Sequence, residues 1–183
     1  SGTTGEPKGV MLSHRNFLSN VEACTKAVPI GPHDRHLSFL PLCHVFERMA
    51  GWYLLLRVGA SIAYADNMDT IPQNMLEARP TIMLGVPRFF EKLHARIQDG
   101  LAHAPPLKRR IFAWALDVGR RMAAYRLARK PAPLGLRLQH ALAGKLVYHK
   151  IQQRLGGRLR FFVSGSAPLA KPVAEFCYHL GVV

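Results

Sequence analysis

The chain has 183 residues, of which 49% are hydrophobic and 20% are charged, and its formal net charge is +14 at pH 7. This balance excludes an intrinsically disordered protein, and the length suits one domain with a buried core. Three widely spaced cysteines without a Cys-x-x-Cys pair argue against a disulfide framework or a structural zinc site. The longest apolar stretch, residues 49–65, is interrupted by Arg57 and two glycines and falls short of the roughly 18 apolar residues of a membrane span. We therefore expect a cytoplasmic protein.

Positive charge is concentrated in one segment. Residues 105–160 contain fourteen Lys or Arg residues and one acid, Asp117, so this basic helical segment alone holds a net charge of +13. The rest of the chain is close to neutral. A localised basic block favours a polyanionic partner, such as phosphate groups, an anionic membrane or nucleic acid.

Short apolar runs alternate with helical patterns along the chain. The first pattern predicts a helix that Ser13 caps and that continues to about Ala27. In chain order, strands are predicted at 36–40, 60–65, 81–85 and 159–163, and further helices at 47–56, 71–78, 88–101, 107–129 and 136–155. Gly156 and Gly157 should end the last of these helices. The alternation predicts an α/β fold with a mainly parallel sheet flanked by helices.

A glycine-rich segment, Ser-Gly-Thr-Thr-Gly-Glu-Pro-Lys-Gly, occupies residues 1–9. Its three glycines let backbone N–H groups converge on an anion, and the hydroxyls of Ser1, Thr3 and Thr4 with the charge of Lys8 would complete a phosphate cradle. It is not a Walker A loop, because its lysine follows a proline and precedes a glycine. From composition alone, a solvated turn before a capped helix is an equally good interpretation.

Longer motifs favour the phosphate cradle. Residues 1–10, followed by Met-Leu-Ser-His-Arg-Asn, closely resemble the phosphate-loop signature of the adenylate-forming superfamily, which includes acyl-CoA synthetases, luciferases and peptide-synthetase adenylation domains. Residues 40–48, Leu-Pro-Leu-Cys-His-Val-Phe-Glu-Arg, resemble the second core motif of long-chain fatty acid synthetases. Residues 161–169, Phe-Phe-Val-Ser-Gly-Ser-Ala-Pro-Leu, resemble the adenine-side loop of that family. The resemblance covers residues 1–183 as a single partial AMP-binding domain, part of the large N-terminal domain of an AMP-forming long-chain acyl-CoA synthetase.

The resemblance implies roles for particular residues. His44 would lie beside the acyl pocket, where an imidazole can orient both a carboxylate and an α-phosphate. The residues implied to bind ATP are Ser1, Gly2, Thr3, Thr4, Gly5 and Lys8 for its β- and γ-phosphates, and Gly165, Ser166, Ala167 and Pro168 for its adenine. No metal ligand is assigned. From the residues alone, the alternatives are a buried structural histidine and an ordinary strand-to-helix turn.

The reaction of the family has two steps. A fatty acid carboxylate attacks the α-phosphate of ATP to give acyl-AMP and pyrophosphate, and the CoA thiol then displaces AMP. The resemblance therefore implies ATP, Mg²⁺ and CoA as substrates or cofactors. It also places the magnesium-binding Gly-Tyr-Gly-x-Thr-Glu segment just beyond Val183, and a C-terminal domain with the adenylation lysine further on. We accordingly expect an internal fragment that is inactive by itself.

The basic segment allows several interpretations. In the helix predicted at 107–129, one side holds the apolar residues Ile111, Trp114, Ala115, Val118, Met122 and Tyr125, whereas Arg109, Arg110, Arg120 and Arg121 lie away from it. The first interpretation is a surface helix packed on the sheet, with a solvated basic face. Peripheral contact with an anionic membrane through the aromatic side is the second, and capture of the CoA phosphates is the third. Nucleic acid is not expected, because no recognition motif accompanies the charge.

Two alternatives to a long-chain ligase remain open. A related adenylate-forming enzyme for another carboxylic acid would keep the phosphate loop and change the acyl pocket. A non-catalytic basic module that binds an anionic membrane would bind polyanions without preferring ATP.

Overall fold

A computed structural model of the protein describes residues 9–181, so the predicted phosphate loop, Ser1 to Lys8, lies outside the described residues. Four strands form one parallel sheet in the order β2-β1-β3-β4. They are β1 (Arg35–Ser38), β2 (Ser61–Tyr64), β3 (Ile82–Gly85) and β4 (Phe161–Ser164). The predicted α/β fold with a parallel sheet is confirmed, and each strand lies within two residues of its predicted position.

Helices account for most of the remaining described chain. The α-helices are α1 (His14–Ala27), α2 (Leu54–Val58), α3 (Ile71–Ala78), α4 (Pro87–Ala102), α5 (Pro106–Leu127), α6 (Leu134–Ala143), α7 (His149–Arg154) and α8 (Lys171–His179). A first π-helix, Glu47–Tyr53, leads into α2, and a second, Gly144–Tyr148, joins α6 to α7. The patterns at 47–56 and 136–155 thus predicted helix correctly and missed its π-helical parts. Helix α8 was not predicted.

The helix ends follow from local chemistry. Ser13 forms a capping box with Asn16: its hydroxyl accepts the Asn16 N–H, and its own N–H donates to the Asn16 side chain at 2.9 Å. At the other end of the chain, Gly156 and Gly157 have φ values of +90° and +76°. Glycine adopts this left-handed conformation without steric cost, so the predicted helix ends before β4 as expected.

The apolar side of the basic helix α5 faces the protein interior. Ala115 and Val118 are fully buried, Met122 is nearly so, and Trp114 packs against the same core cluster. The helix packs mainly against α6 and α8, and its buried residues belong to the core cluster that also contains buried residues of β1, β3 and β4. The interpretation of a surface helix packed over the sheet, with a solvated basic face, therefore agrees with the structure. Trp114 and Tyr125 on this side are half-buried, and contact of the aromatic side with a membrane stays a prediction.

The amino ends of three strands are tied together by one polar cluster. Asp34, Thr81 and Arg160 directly precede β1, β3 and β4. Arg160 donates to both carboxylate oxygens of Asp34, at 2.7 and 2.8 Å, and the Thr81 hydroxyl donates to Asp34 at 2.6 Å. Arg160 belongs to the basic segment in the sequence, but in the structure its charge is paired with the buried carboxylate of Asp34 at this edge of the sheet.

The main core lies between the sheet and helices α3 to α8, around Leu37, Met83, Val118 and Phe162. A smaller cluster forms around Leu55 and includes Ala60 and Ile82. Within residues 9–181, no helix is both long enough and apolar enough to cross a membrane.

Candidate functional site

Two predicted site segments meet at the carboxyl edge of the sheet. The turn at 41–44 follows β1, and residues 165–168 follow β4. Because the strands are parallel, both segments leave the same edge, which is where ligands bind in open α/β sheets. Strand β3 separates β1 from β4 in the sheet, so the two segments approach each other above its carboxyl end.

An open cavity of about 520 Å³ lies where these segments meet helix α1. His44 comes from the first segment and Ser166 from the second, so the structure brings together two residues that were predicted separately. The cavity is lined by Leu12, Asn16, Phe17, Asn20, His44, Val45, Phe46, Met49 and Ser166. Its wall is largely apolar with a few polar groups, as is usual for a small-molecule site.

His44 is exposed, so the alternative of a buried structural histidine is wrong. Its backbone N–H donates to Pro41 O at 2.9 Å, and its carbonyl accepts the Arg48 N–H at 2.9 Å. Its Nδ1 accepts the backbone N–H of Phe46 at 3.3 Å. Since Nδ1 is an acceptor, the neutral ring carries its proton on Nε2, and this N–H is available to donate to a ligand.

Phe46 packs directly on Gly165. A Cβ atom added to Gly165 would lie 2.5 Å from two carbon atoms of the Phe46 ring. The family resemblance implies that adenine lies against this glycine, whereas in the structure the space beside it holds a phenylalanine ring. Contact between adenine and residues 165–168 stays a prediction.

Ser166 has an unusual backbone conformation. Its φ of +70° lies in the left-handed region, which costs a non-glycine residue energy and is often found at functional sites. Ser166 lines the cavity, whereas Ala167 and Pro168 are exposed beside it and do not line it. The structure thus singles out Ser166 within the four-residue prediction.

Comparison with known proteins identifies the family. A sequence model described as AMP-binding enzyme matches residues 1–182. The chain belongs to the AMP-binding enzyme family. It is 37% identical to long chain acyl-CoA synthetase 6, peroxisomal, of Arabidopsis thaliana, over 96% of this chain and 24% of that protein. It is 38% identical to fatty acyl-CoA synthetase A of Dictyostelium discoideum, over 100% of this chain and 26% of that protein.

A human relative agrees with this assignment. The long-chain-fatty-acid–CoA ligase ACSBG2 of Homo sapiens is 34% identical over 100% of this chain and 28% of its own length. The AMP-binding chain therefore spans about a quarter of these relatives. Its fold is similar to the crystal structure of ATP-bound MatB from Rhodopseudomonas palustris, with a TM-score of 0.58 and 24% identity, covering 97% of this chain and 25% of that one.

The predicted phosphate loop of this AMP-binding chain precedes the cavity in sequence. Ser1, Gly2, Thr3, Thr4, Gly5 and Lys8 are outside the described residues, so their role stays a prediction. Leu12 and Asn16, which follow that loop closely, line the same cavity as Ser166. That the phosphate loop and the adenine-side loop open on one side of the sheet stays a prediction.

Seven of the nine residues that line the cavity were not predicted as site residues from the sequence. Asn16 and Asn20 lie four residues apart on α1 and place two amides on its wall, and Phe46 contributes an aromatic ring. The i, i+4 spacing of the asparagines was a visible signal that they share one side of the helix. Within residues 9–181, no three His, Cys, Asp or Glu side chains lie close enough together to hold a metal ion.

Proposed function

We propose that the protein activates a long-chain fatty acid with ATP to give acyl-AMP and then transfers the acyl group to CoA. The observation that carries the proposal is the shared cavity of His44 and Ser166 at the carboxyl edge of the sheet. Membership of the AMP-binding enzyme family and relatives named as long-chain acyl-CoA synthetases or ligases support it.

The chemistry would proceed in two displacements. A carboxylate oxygen of the fatty acid attacks the α-phosphorus of ATP, the bond to the bridging oxygen breaks, and pyrophosphate leaves. The sulfur of CoA then attacks the acyl carbonyl carbon, and AMP leaves with the former carboxylate oxygen. Catalysis of this kind depends on positioning and on charge stabilisation around the phosphates.

In this proposal, the Nε2–H of His44 donates to the reacting carboxylate or to an α-phosphate oxygen and holds the two in line. Ser166 contacts the nucleotide from the opposite side of the cavity, and Ser1 to Lys8 bind the β- and γ-phosphates. The reaction also uses Mg²⁺. Since residues 9–181 provide no cluster of three metal-binding side chains, the roles assigned here are confined to binding and orientation.

The test uses the full-length protein with ATP, Mg²⁺, CoA and palmitate, and follows pyrophosphate and thioester. We expect His44→Ala and Lys8→Ala to lower kcat by about 10²–10³, the usual cost of losing one electrostatic donor. The control is His33→Ala, which removes another exposed histidine at the opposite edge of the sheet. Equal activity of His44→Ala and the wild type would refute the assigned role. That the 183 residues alone make no acyl-CoA stays a prediction.

The alternative within the family is a ligase for another carboxylic acid. A panel of acids from acetate through decanoate to palmitate and an aromatic acid separates the two. A kcat/KM that increases with chain length supports the long-chain proposal. A maximum at a short or aromatic acid would replace it with the alternative.

A second candidate function is peripheral contact of the protein with an anionic membrane. Four leucines at four-residue spacing form an exposed leucine row on α6 and the second π-helix, with 70%, 64%, 51% and 40% of their surface exposed: Leu134, Leu138, Leu142 and Leu146. The opposite side, with Leu136, Ala143 and Val147, is buried. Leucines at this spacing share one side of a helix, so they form a continuous apolar strip.

Charge beside the leucine row favours an anionic lipid surface as its partner. Arg137 and Lys145 are exposed and directly precede two of the leucines, and the surrounding segment is strongly basic. Leucines that enter the interface while cations meet lipid phosphates are the usual features of a peripheral membrane helix. We therefore propose this row, rather than the half-buried aromatic side of α5, as the membrane contact.

Sedimentation of the full-length protein with vesicles tests this second candidate. The wild type should bind to phosphatidylserine-containing vesicles, and added salt should weaken this binding. The double variant Leu138→Ser, Leu142→Ser should not bind. The control Leu76→Ser changes a leucine of similar exposure on α3. Unchanged binding of the double variant, or its unfolding because the row is covered by protein, would refute membrane docking through the row.

A further inference from the structure

A buried polar cluster lies beneath the turn that carries His44. The side chains of Glu47 and His36 have no exposed surface, and His36 Nε2 is 3.0 Å from Glu47 Oε1. The Ser38 hydroxyl donates to the same oxygen at 2.5 Å. His36 and Ser38 are two residues apart on β1, so their side chains leave the same face of the sheet. The carboxylate is thereby held from one strand by two groups.

Such a cluster is a costly way to fill a core. Two ionisable side chains taken out of water lose hydration, and well-packed apolar residues in their place are often as stable or more so. Glu47 Oε2 and His36 Nδ1 have no hydrogen-bond partner among the described residues, so the cluster is not arranged for greatest stability either. Unlike apolar packing, the hydrogen bonds of this cluster fix the position of the Glu47 side chain relative to β1.

The cluster is continuous with the candidate site through the backbone. Glu47 begins the first π-helix, directly after Phe46 and three residues after His44. The next residue, Arg48, donates its N–H to His44 O at 2.9 Å and its Nε–H to Leu42 O at 3.0 Å. A carboxylate fixed to β1 therefore sets where the turn at 41–44 lies and where the Phe46 ring meets Gly165.

The π-helix is shaped around this carboxylate. A Cβ atom on Gly51 would lie 2.5 Å from Glu47 Oε1, so glycine is needed where the helix passes over the acid. π-Helical segments of this kind are frequent at functional sites, because they change the direction of side chains within a helix. The strand, the acid and the glycine thus act as one unit.

We propose that Glu47 is a positioning residue: by binding His36 and Ser38 it holds the turn that carries His44, and with it the ring of Phe46, in the geometry that the reaction needs. The inference rests on the proposed function for its catalytic purpose. It concerns a residue that does not line the cavity.

The experiment compares Glu47→Ala, Glu47→Gln and Gly51→Ala in the full-length protein. Glu47→Ala removes the anchor, and we expect kcat for acyl-AMP formation to fall about 10- to 100-fold, as for a reacting group displaced by about 1 Å. Glu47→Gln keeps an oxygen that accepts from both partners and should restore most of the activity. Gly51→Ala should resemble Glu47→Ala, although alanine favours helix more than glycine does.

Hydrogen exchange provides a readout that does not depend on turnover. In Glu47→Ala, amides of residues 41–53 should exchange faster, whereas those of β3 and β4 should keep their wild-type rates. The control is Glu91→Ala, which removes an exposed acid on α4 and should change neither exchange nor kcat. All assays are run well below the unfolding temperature of the least stable variant, so that the folded state is compared.

Each result decides the proposal. Lower kcat with rescue by glutamine, and faster exchange confined to 41–53, supports it. Wild-type kcat in folded Glu47→Ala, or exchange that rises equally in β3 and β4, overturns it in favour of a purely structural cluster. If the wild type forms no acyl-AMP with any acid, the proposed function is wrong, and so is the catalytic role of Glu47. The hydrogen-exchange comparison still decides whether Glu47 holds the turn at 41–44.

Discussion

The ring of Phe46 lies against Gly165. The two residues are far apart in the sequence, and in the sheet the strands that precede them, β1 and β4, are separated by β3. The contact joins the turn after β1 to the loop after β4. Because no side chain larger than hydrogen fits at position 165, the distance between the two predicted site segments is set by a single ring.

Gly165→Ala tests this contact. The added methyl group should displace the Phe46 ring and with it the turn of His44, so we expect about a tenfold fall in kcat/KM for ATP and little loss of stability. Phe46→Leu in the same chain should recover part of the activity, since the smaller side chain leaves room. A double-mutant cycle measures the coupling, which should be about 1 kcal/mol or more. Gly31→Ala, in a loop with free space around the added methyl, is the control, and additive effects would contradict the prediction.

Gly119→Ala tests the packing of α5 on α8. A Cβ atom at Gly119 would collide with the backbone carbonyl oxygen of His179, which cannot move aside without shifting a helix. We expect the free energy of unfolding to fall by about 1–3 kcal/mol, the usual cost of overpacking. Gly100→Ala on α4 meets no neighbouring atom and should instead raise stability by about 0.5–1 kcal/mol. Denaturant unfolding of both variants measures the difference, and equal effects would show that α5 and α8 are less tightly packed.

The cluster at the amino edge predicts a pH dependence of stability. Burial alone would raise the pKa of Asp34, but hydrogen bonds from Thr81, Gly31 and Arg160 and the charge of Arg160 together lower it below its ordinary value of 3.8. A carboxyl group with a lowered folded-state pKa stabilises the protein above its unfolded pKa, and this contribution is lost as pH falls through the folded pKa.

Asp34→Asn should therefore lower the free energy of unfolding by about 2 kcal/mol at pH 7, which is typical of hydrogen bonds to a charged group. Below pH 4 the difference from the wild type should become progressively smaller. Urea unfolding at a series of pH values measures this. Asp69→Asn, at an exposed acid, is the control. A difference between Asp34→Asn and wild type that stays constant down to pH 2.5 would show that the lowered pKa does not contribute.

The three cysteines should differ in reactivity. Burial raises the pKa of the Cys177 thiol to about 11, so it remains protonated at pH 8, whereas Cys43 is exposed. Because the thiolate is the nucleophile, a maleimide should label Cys43 first and Cys177 only after denaturant is added. Mass spectrometry of digested protein gives the order. Labelling of Cys177 in native protein at the rate of Cys43 would mean that α8 opens readily.

Local signals in the sequence were enough for most of the secondary structure. Ser13 as an N-cap, the apolar runs and Gly156 with Gly157 each act through neighbours in the chain, and they predicted α1, all four strands and the end of α7. The π-helix at 47–53 depends instead on a carboxylate that β1 holds in place. No periodicity in residues 47–56 carries that information, so an ordinary helix was predicted there.

The candidate site was only partly accessible from the sequence. Motif resemblance located His44 and Ser166, because their neighbours in the chain form recognisable runs. Phe46 and its contact with Gly165 depend on how two distant loops meet, which is a property of the folded sheet. Glu47 gave one signal that was not used: with Arg48 it directly precedes the long apolar stretch at 49–65, where a charge buried without a partner would be costly.

The ion pair between Asp34 and Arg160 joins residues 126 positions apart and has a consequence for how the protein is made. A ribosome that adds about 5–20 residues per second needs roughly 6–25 s to synthesise the segment between them. In the part of that interval after residue 85, β3 has no neighbour on the side that β4 will occupy, and an unpaired strand edge readily accepts a foreign strand. The growing chain should therefore be most vulnerable to aggregation, and most dependent on chaperones, between the synthesis of β3 and the emergence of β4.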